Sequence, residues 1–186
     1  GTANAVPSFV VQTGQACSSC HVGGFGRQLT QFGRDFKLHG YTMRSVGQWD
    51  VVPFSMMGVA SYIRTQRDQD GPPAPHYSDN NNVALDQVSL FAAGGLGEHF
   101  GAFVQTTYDG VGRTFSWDNV DLRLVTNTTL FGADTVVGLS LNNSPGVTDP
   151  WNTLPAWGYP YTDSALAPGP AAASLISDAL AQNVLG

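Results

Sequence analysis

Phe100-Gly101-Ala102-Phe103-Val104-Gln105-Thr106-Thr107-Tyr108-Asp109 decides how this chain folds. Phe100, Ala102, Val104 and Tyr108 fall on one side of an extended backbone, with Gly101, Gln105, Thr107 and Asp109 on the other. Successive side chains of a strand point to opposite faces, so this period of two marks a strand with one apolar and one polar face. The pattern recurs on both sides. Upstream, residues 51–64 set Val52, Phe54, Met56, Ala60 and Tyr62 against Ser55, Met57, Val59 and Ser61. Residues 85–96 set Val88, Leu90, Ala92 and Leu96 against Gln87, Ser89 and two glycines. Downstream, residues 117–126 oppose Val120, Leu122 and Leu124 to Asn119, Asp121 and Arg123. Residues 131–142 oppose Phe131, Ala133, Val137, Leu139 and Leu141 to Gly132, Asp134, Gly138, Ser140 and Asn142. A polar, Pro/Gly/Asn-rich loop over 65–82 and a tight turn near Gly97-Glu98 separate the segments.

Segments of about ten residues, apolar on one face and joined by alternating short turns and longer loops, predict an antiparallel transmembrane β-barrel. Tyr62, Tyr108, Phe115 and Trp117 near the segment ends fit aromatic girdles at the membrane interfaces. A soluble sandwich alternates in the same way, but it would turn the apolar face into its core. No run reaches the ~18 apolar residues of a membrane helix, so any spanning structure here is β. The expected class is mainly β. A small segment with one short helix (residues 1–48) precedes the N-terminal part of an outer-membrane, porin-like barrel (residues 49–186). Residues 143–170, with six prolines, read as a long irregular loop folded into the lumen or over one mouth. The Ala-rich stretch 170–185 reads as a short helix leading to another strand. Bacterial barrels use eight or more strands, so the five visible here are expected to be completed by further sequence or by several chains.

The chemistry lies elsewhere, in Cys17-Ser18-Ser19-Cys20-His21. C-x-x-C-H is the attachment sequence of c-type haem: two thiols form thioethers with the vinyl groups, and the adjacent imidazole ligates the iron. A thioredoxin-like couple would need a βαβ setting, and none surrounds Cys17. A zinc site would need further ligands, yet there is no other cysteine, and His39, His76 and His99 are scattered. A disulfide across two residues would be strained and would leave His21 without a role. One covalent haem c, held by Cys17, Cys20 and His21, is the expectation. Such haem is attached outside the bacterial cytoplasm, which implies an exported protein whose mature chain starts near Gly1-Thr2-Ala3. With eight basic against fourteen acidic residues and a net charge of −6, nucleic acid is not an expected partner. Four of the eight basic residues (Arg27, Arg34, Lys37, Arg44) cluster in the first 50 positions.

Around the motif, residues 1–16 read as an extended lead-in, and Gly23, Gly24 and Gly26 as a turn that lets backbone approach the macrocycle. Leu29, Phe32 and Phe36 recur at helical spacing and predict an amphipathic helix over 28–38, stopped by Gly40. Fewer than 50 residues is small for an independent core, so this unit is expected to need another surface to cover it. For the sixth iron ligand the candidates are Met57, on the polar face of the first strand, then Met43 and His39; Met56 points the other way and His76 lies in the loop. Methionine raises the reduction potential and a second histidine lowers it. Asp68, Asp70 and Asp79 in the 65–82 loop are candidate transient contacts for a cationic donor.

The run Pro7-Ser8-Phe9 … Gln12-Thr13-Gly14 … Cys17-x-x-Cys20-His21 … Leu29-Thr30 … Phe32-Gly33-Arg34 … Phe36-Lys37 … Gly40-Tyr41 resembles the start of the outer-membrane cytochrome–porin fusions of iron-oxidising bacteria. The likeness is specific over residues 7–42 and looser through the strands. It implies electron transfer through a single haem at the outer membrane, from an extracellular donor such as Fe(II) to a periplasmic carrier, itself a cytochrome, with the barrel in contact with lipid. The alternatives are a haem-bearing structural subunit of a larger redox complex and a soluble cytochrome with a β-sandwich domain. An acid–base or nucleophilic enzyme is not expected, although an iron oxidase is compatible with the family.

Overall fold

In a computed structural model the chain is described over residues 7–24, 28–47, 54–143, 149–153 and 164–168. It is mainly β. Five antiparallel strands follow one another in order across a single sheet: β1 (Phe54–Ile63), β2 (Asn82–Leu96), β3 (Phe100–Asp109), β4 (Thr114–Leu130) and β5 (Ala133–Asn142). Three short α-helices precede them: α1 (Pro7–Thr13), α2 (Cys17–Cys20) and α3 (Gln31–Leu38).

The sheet keeps one face apolar by bending its own alternation twice. Val59 pairs with Gln87 and Ala60 with Leu85, so Asp86 is the extra residue of a bulge in β2. Gln105 pairs with Asn119 and Thr106 with Trp117, so Asp118 is the extra residue of a bulge in β4. A one-residue insertion flips the side-chain parity beyond it. Without the bulges, Val83, Leu85, Phe115 and Trp117 would fall on the polar face; with them, they join Met56, Leu90, Leu124, Leu139 and Leu141. These nine side chains are all exposed. The Asp118 bulge also explains why β4 begins earlier than the alternation over 117–126 suggests. β5 starts at Ala133 rather than 131 because Phe131 and Gly132 form the turn.

The opposite face is covered over β2, β3 and β4 as far as Val125, while β5 leaves Asp134, Ser140 and Asn142 exposed on it. Across it lie α1, α3 and the segment through Tyr41–Ser45, which is the covering surface the short N-terminal unit was expected to need. The lead-in is therefore not extended: Pro7–Thr13 is helical. Proline is well placed at a helix start because its missing N–H is not needed there, and this outweighs the β-branched pair Val10-Val11. The predicted helix 28–38 starts at Gln31, because Thr30 caps it by accepting a hydrogen bond from the Gly33 amide.

Close docking needs places without side chains. A Cβ on Gly101 of β3 would run into the Gly40 carbonyl, and one on Gly95 of β2 would meet the Tyr41 carbonyl at 2.7 Å. Phe9 of α1 fills the neighbouring space. Its ring centroid lies 4.9 Å from that of Phe36, 5.4 Å from Tyr41 and 6.1 Å from Phe103.

Parts of the Pro-rich tail return to the same face. Asn152 accepts from the Leu29 amide at 2.8 Å, and Leu166 is completely buried beside the 64–81 loop, where its carbonyl accepts from Gln69. The expected helix over 170–185 lies outside the described residues.

Candidate functional site

The Cys-x-x-Cys-His stretch forms one helical turn, α2, followed by His21, whose backbone makes an isolated antiparallel bridge to Leu29. One turn of helix places residues three apart on the same side. Cys17 and Cys20 are therefore neighbours; both are thiols and both half-exposed. Burial, then the nearby Cys17, pushes the Cys20 thiol up from its ordinary value. Next to His21, Gly23 adopts a left-handed φ of 78° with open space where a side chain would stand.

Behind this turn stands α3. Gly33 packs so closely on Cys20 that a Cβ would collide with the Cys20 carbonyl. Thr30 donates from Oγ1 to the Ser19 carbonyl at 2.5 Å, and its amide donates to the Cys20 carbonyl at 2.9 Å. The donor set of two neighbouring thiols and an adjacent imidazole, on a turn with glycine and open space beside it, fits a covalently held haem. Among the described residues no group of three or more His, Cys, Asp or Glu side chains is arranged to hold a bare metal ion.

What fixes this unit to the sheet is polar and buried. Gln12 donates from Nε2 to the carbonyls of Tyr41 (2.5 Å) and Met43 (2.9 Å) and accepts from the Gly95 amide at 3.0 Å, so one amide joins α1, the 41–43 segment and β2. Tyr41 takes a left-handed φ of 61° and donates from its hydroxyl to Asp121 Oδ2 at 2.6 Å. Asp121 also accepts from Arg123 Nε at 2.9 Å and lies 3.7 Å from Lys37 Nζ, which donates to Asn152 Oδ1 at 2.7 Å. The Arg123 guanidinium lies 5.1 Å from the ring centroid of Trp151.

Asp121 is 1% exposed, and Lys37, Tyr41 and Arg123 are also buried. Burial lowers the Lys37 ammonium to about 8 against the opposing pull of Asp121. Burial and the Asp121 carboxylate push the Tyr41 phenol well above its ordinary value. A buried cluster of this kind adds little net stability over apolar packing, but it is costly to break and so specifies one placement. Sequence alternation put Asp121 and Arg123 on the polar face but held no sign of their partners, which come from positions about 80 residues away. Lys37 stands outside the Leu29–Phe32–Phe36 stripe, and nothing in its helix announces its burial.

The sixth-ligand candidates are dispersed. Met57 is half-buried on the covered face, two residues from Ser55, whose hydroxyl lies 3.4 Å from that of Ser8 in α1. Met56 is exposed on the apolar face. Met43 is half-buried and engaged through its carbonyl by Gln12. His39 caps α3, with Nδ1 2.8 Å from the Asp35 carbonyl. His76 stands exposed in the loop with a φ of 73°. In the same loop Asp68 accepts from Asn80 at 3.0 Å; Asp68, Asp70 and Asp79 are all exposed.

No protein-family model, curated protein or solved structure matches the chain.

Proposed function

We propose that this chain is the haem-bearing portion of a bacterial outer-membrane cytochrome–barrel protein, which relays single electrons from an extracellular donor such as Fe(II) to a periplasmic cytochrome. One observation carries the reading: the sheet is inside out. Its apolar face is bare, with Phe54 83% and Leu139 74% exposed, while its polar face is covered from β2 to the middle of β4 by the segment that contains the Cys-x-x-Cys-His motif. Water would favour the reverse, whereas a barrel wall in lipid requires apolar out and polar in.

Cys17 and Cys20 would hold the haem through thioethers and His21 would ligate its iron, with Met57 as the candidate second ligand and Met43 or His39 behind it. The bound group supplies one-electron redox chemistry at a potential set by its ligands and surroundings. The chain's own residues orient it: Gly33 and Thr30 fix α2 against α3, and Gln12, Tyr41 and the Asp121 cluster fix both against the barrel wall.

The loop lengths support an orientation. The two- and three-residue turns at 131–132 and 97–99 lie at the end where the N-terminal unit docks, and the 64–81 loop lies at the other together with the four-residue turn 110–113. Outer-membrane barrels keep their short turns on the periplasmic side. The motif would then sit toward the periplasmic carrier, with Asp68, Asp70 and Asp79 toward an external cationic donor.

The test is fractionation of cells that express the protein, followed by spectra with and without detergent. The reading expects an outer-membrane protein that needs detergent and shows a c-type reduced-minus-oxidised spectrum, lost in Cys17→Ser/Cys20→Ser. A freely soluble protein sinks the barrel; a colourless one sinks the haem. Met57→Ala should lower the reduction potential and change the spectrum of the oxidised form. An unchanged spectrum passes the axial role to Met43 or His39.

A further inference from the structure

Building on the proposed function, we infer that the end of the β4–β5 hairpin is a docking prong for a soluble redox protein whose apolar patch is ringed by lysines. β3 pairs with β4 only from Asp109↔Thr114 to Phe100↔Leu124. Of the six further pairs of the hairpin, Val125↔Gly138 lies level with His99 of the β2–β3 turn, to which Val125 is hydrogen-bonded, and the five from Thr126↔Val137 to Leu130↔Ala133 run on past it. At about 3.4 Å per residue they carry the tip roughly 17 Å beyond it.

This extension is not part of the lipid-facing band. On the apolar face of β4 the sequence Phe115, Trp117, Val120, Leu122, Leu124 gives way to Thr126 and Thr128, and Thr135 lies opposite Thr128. From Phe115 to Leu124 a strand tilted by about 40° already climbs roughly the 25 Å of a barrel's apolar band. Val137, opposite Thr126, is the last exposed apolar side chain of the band; beyond it Thr128 and Thr135 face Asn127, Thr129 and Asp134 across the shaft, with half-buried Val136 among them.

Yet its tip is aromatic. Phe131 is 107% exposed and Leu130 beside it is exposed as well. Phe131 and Gly132 both take left-handed conformations, with φ of 53° and 80°, around a two-residue turn. That is type I′ geometry, which favours Asn-Gly; a bulky aromatic there is strained. A residue that is strained, apolar and wholly in water gains nothing within this fold. It gains by burial in a partner, as aromatic anchors at interface centres do.

The partner's chemistry follows from the surroundings. The exposed charged side chains at this end are Glu98, on the β2–β3 turn, and Asp134, at the start of β5, both acidic. Arg44 is directed onto the Gly95 and Gly97 carbonyls, and Arg123 of the same hairpin is buried against Asp121. The root of the prong touches the haem-bearing unit, since a Cβ on Gly40 would meet the Val125 methyls at 3.0 Å. A carrier seated on Phe131 would therefore lie alongside that unit.

The experiment uses the full chain in detergent micelles and a soluble, lysine-rich cytochrome c as probe, at low ionic strength. Binding is read by interferometry, which does not depend on haem in the chain; haem content is read separately. Phe131→Asn keeps the turn, because it installs the favoured Asn-Gly pair. It should weaken binding about tenfold, the usual loss for a buried anchor, with no fall in thermal stability. Glu98→Gln/Asp134→Asn should weaken it severalfold and flatten its salt dependence. Equal affinity for Phe131→Asn and the parent, or no binding by the parent, overturns the prong. A parent without haem overturns the function proposed above, whatever the binding shows.

Discussion

On one face of this sheet Leu122, Leu124, Leu139 and Leu141 stand in a row with little or nothing over them, while on the other Asp121 and Arg123 are sealed beneath Tyr41 and Lys37. Two side chains one residue apart, Asp121 and Leu124's neighbour Leu122, thus inhabit reversed worlds: the charge is inside and the leucines are outside. In water, apolar burial is the main driving force for folding, so an unaided soluble sheet would collapse the other way. The contrast teaches that the core of this fold lies on the polar side of the sheet, where Phe9, Phe36, Tyr41 and Phe103 meet, and that among the described residues the apolar side has none. The covered face is held by named partners, and the bare face awaits one.

The sharpest way to break the comparison is Asp121→Ala, which leaves Arg123 and Lys37 buried with no carboxylate between them. Removing one member of a buried charged cluster costs about 3–5 kcal/mol. The N-terminal unit should detach, read as rapid proteolysis of residues 7–47 while the sheet persists. A loss under about 1 kcal/mol in urea titration would mean that this face is not a true interior. Next comes the bare face. Leu124→Arg should cost about 2–4 kcal/mol if that side chain meets lipid near mid-depth. The same change costs within about 0.5 kcal/mol at an ordinary water-exposed site. Urea titration of vesicle-folded protein, followed by gel mobility, distinguishes the two.

Much of this was legible in the residues. The five strands, the face assignments of residues 54–62 and 100–109 and the α3 stripe all follow from local periodicity; the helical turn at Cys17–Cys20 does not. Long-range pairing does not. Nothing near Gln12 announces that its amide will join three segments, and nothing near Asn152 announces Lys37. The bulges at Asp86 and Asp118 were hidden because they interrupt the very alternation by which strands are recognised. Phe91 and Phe103 break the polar face for a reason visible only in three dimensions: Phe103 lies under Phe9 and Phe91 lies beside Phe103, 6.0 Å between centroids. α1 was missed because seven residues carry too little periodicity to outweigh Val10 and Val11.

Acidity provides a subtler probe of the covered face. Lys37 titrates near 8 in the folded state against an ordinary 10.5. Below about pH 8 both states are protonated, and folding bears the full burial cost of the ammonium. Between about 8 and 10.5 the unfolded state holds the proton that the folded state has lost, so stability rises with pH. The difference of about 2.5 units (10.5 − 8) sets a ceiling near 3 kcal/mol at 1.36 kcal/mol per unit, reduced by whatever water reaches the amine. Unfolding titrations between pH 7 and 9.5 should show that rise, and Lys37→Met should flatten it. A slope that persists in Lys37→Met would assign the dependence to another group.

The smallest effect tests whether the haem-motif turn has its own support or merely rides on the sheet. Thr30 serves both sides: its hydroxyl caps α3 through the Gly33 amide at 3.2 Å and reaches the Ser19 carbonyl inside the motif at 2.5 Å. Thr30→Ala removes both bonds and should cost about 1 kcal/mol, the usual value of a lost cap. Because neither bond touches the sheet, the loss should be confined to α2 and α3, read as faster amide hydrogen exchange over residues 17–38 with β2–β4 unchanged. If β2–β4 exchange quickened by the same factor, α2, α3 and the sheet would open as one cooperative unit, and the Asp121 cluster would couple them rather than simply dock one on the other.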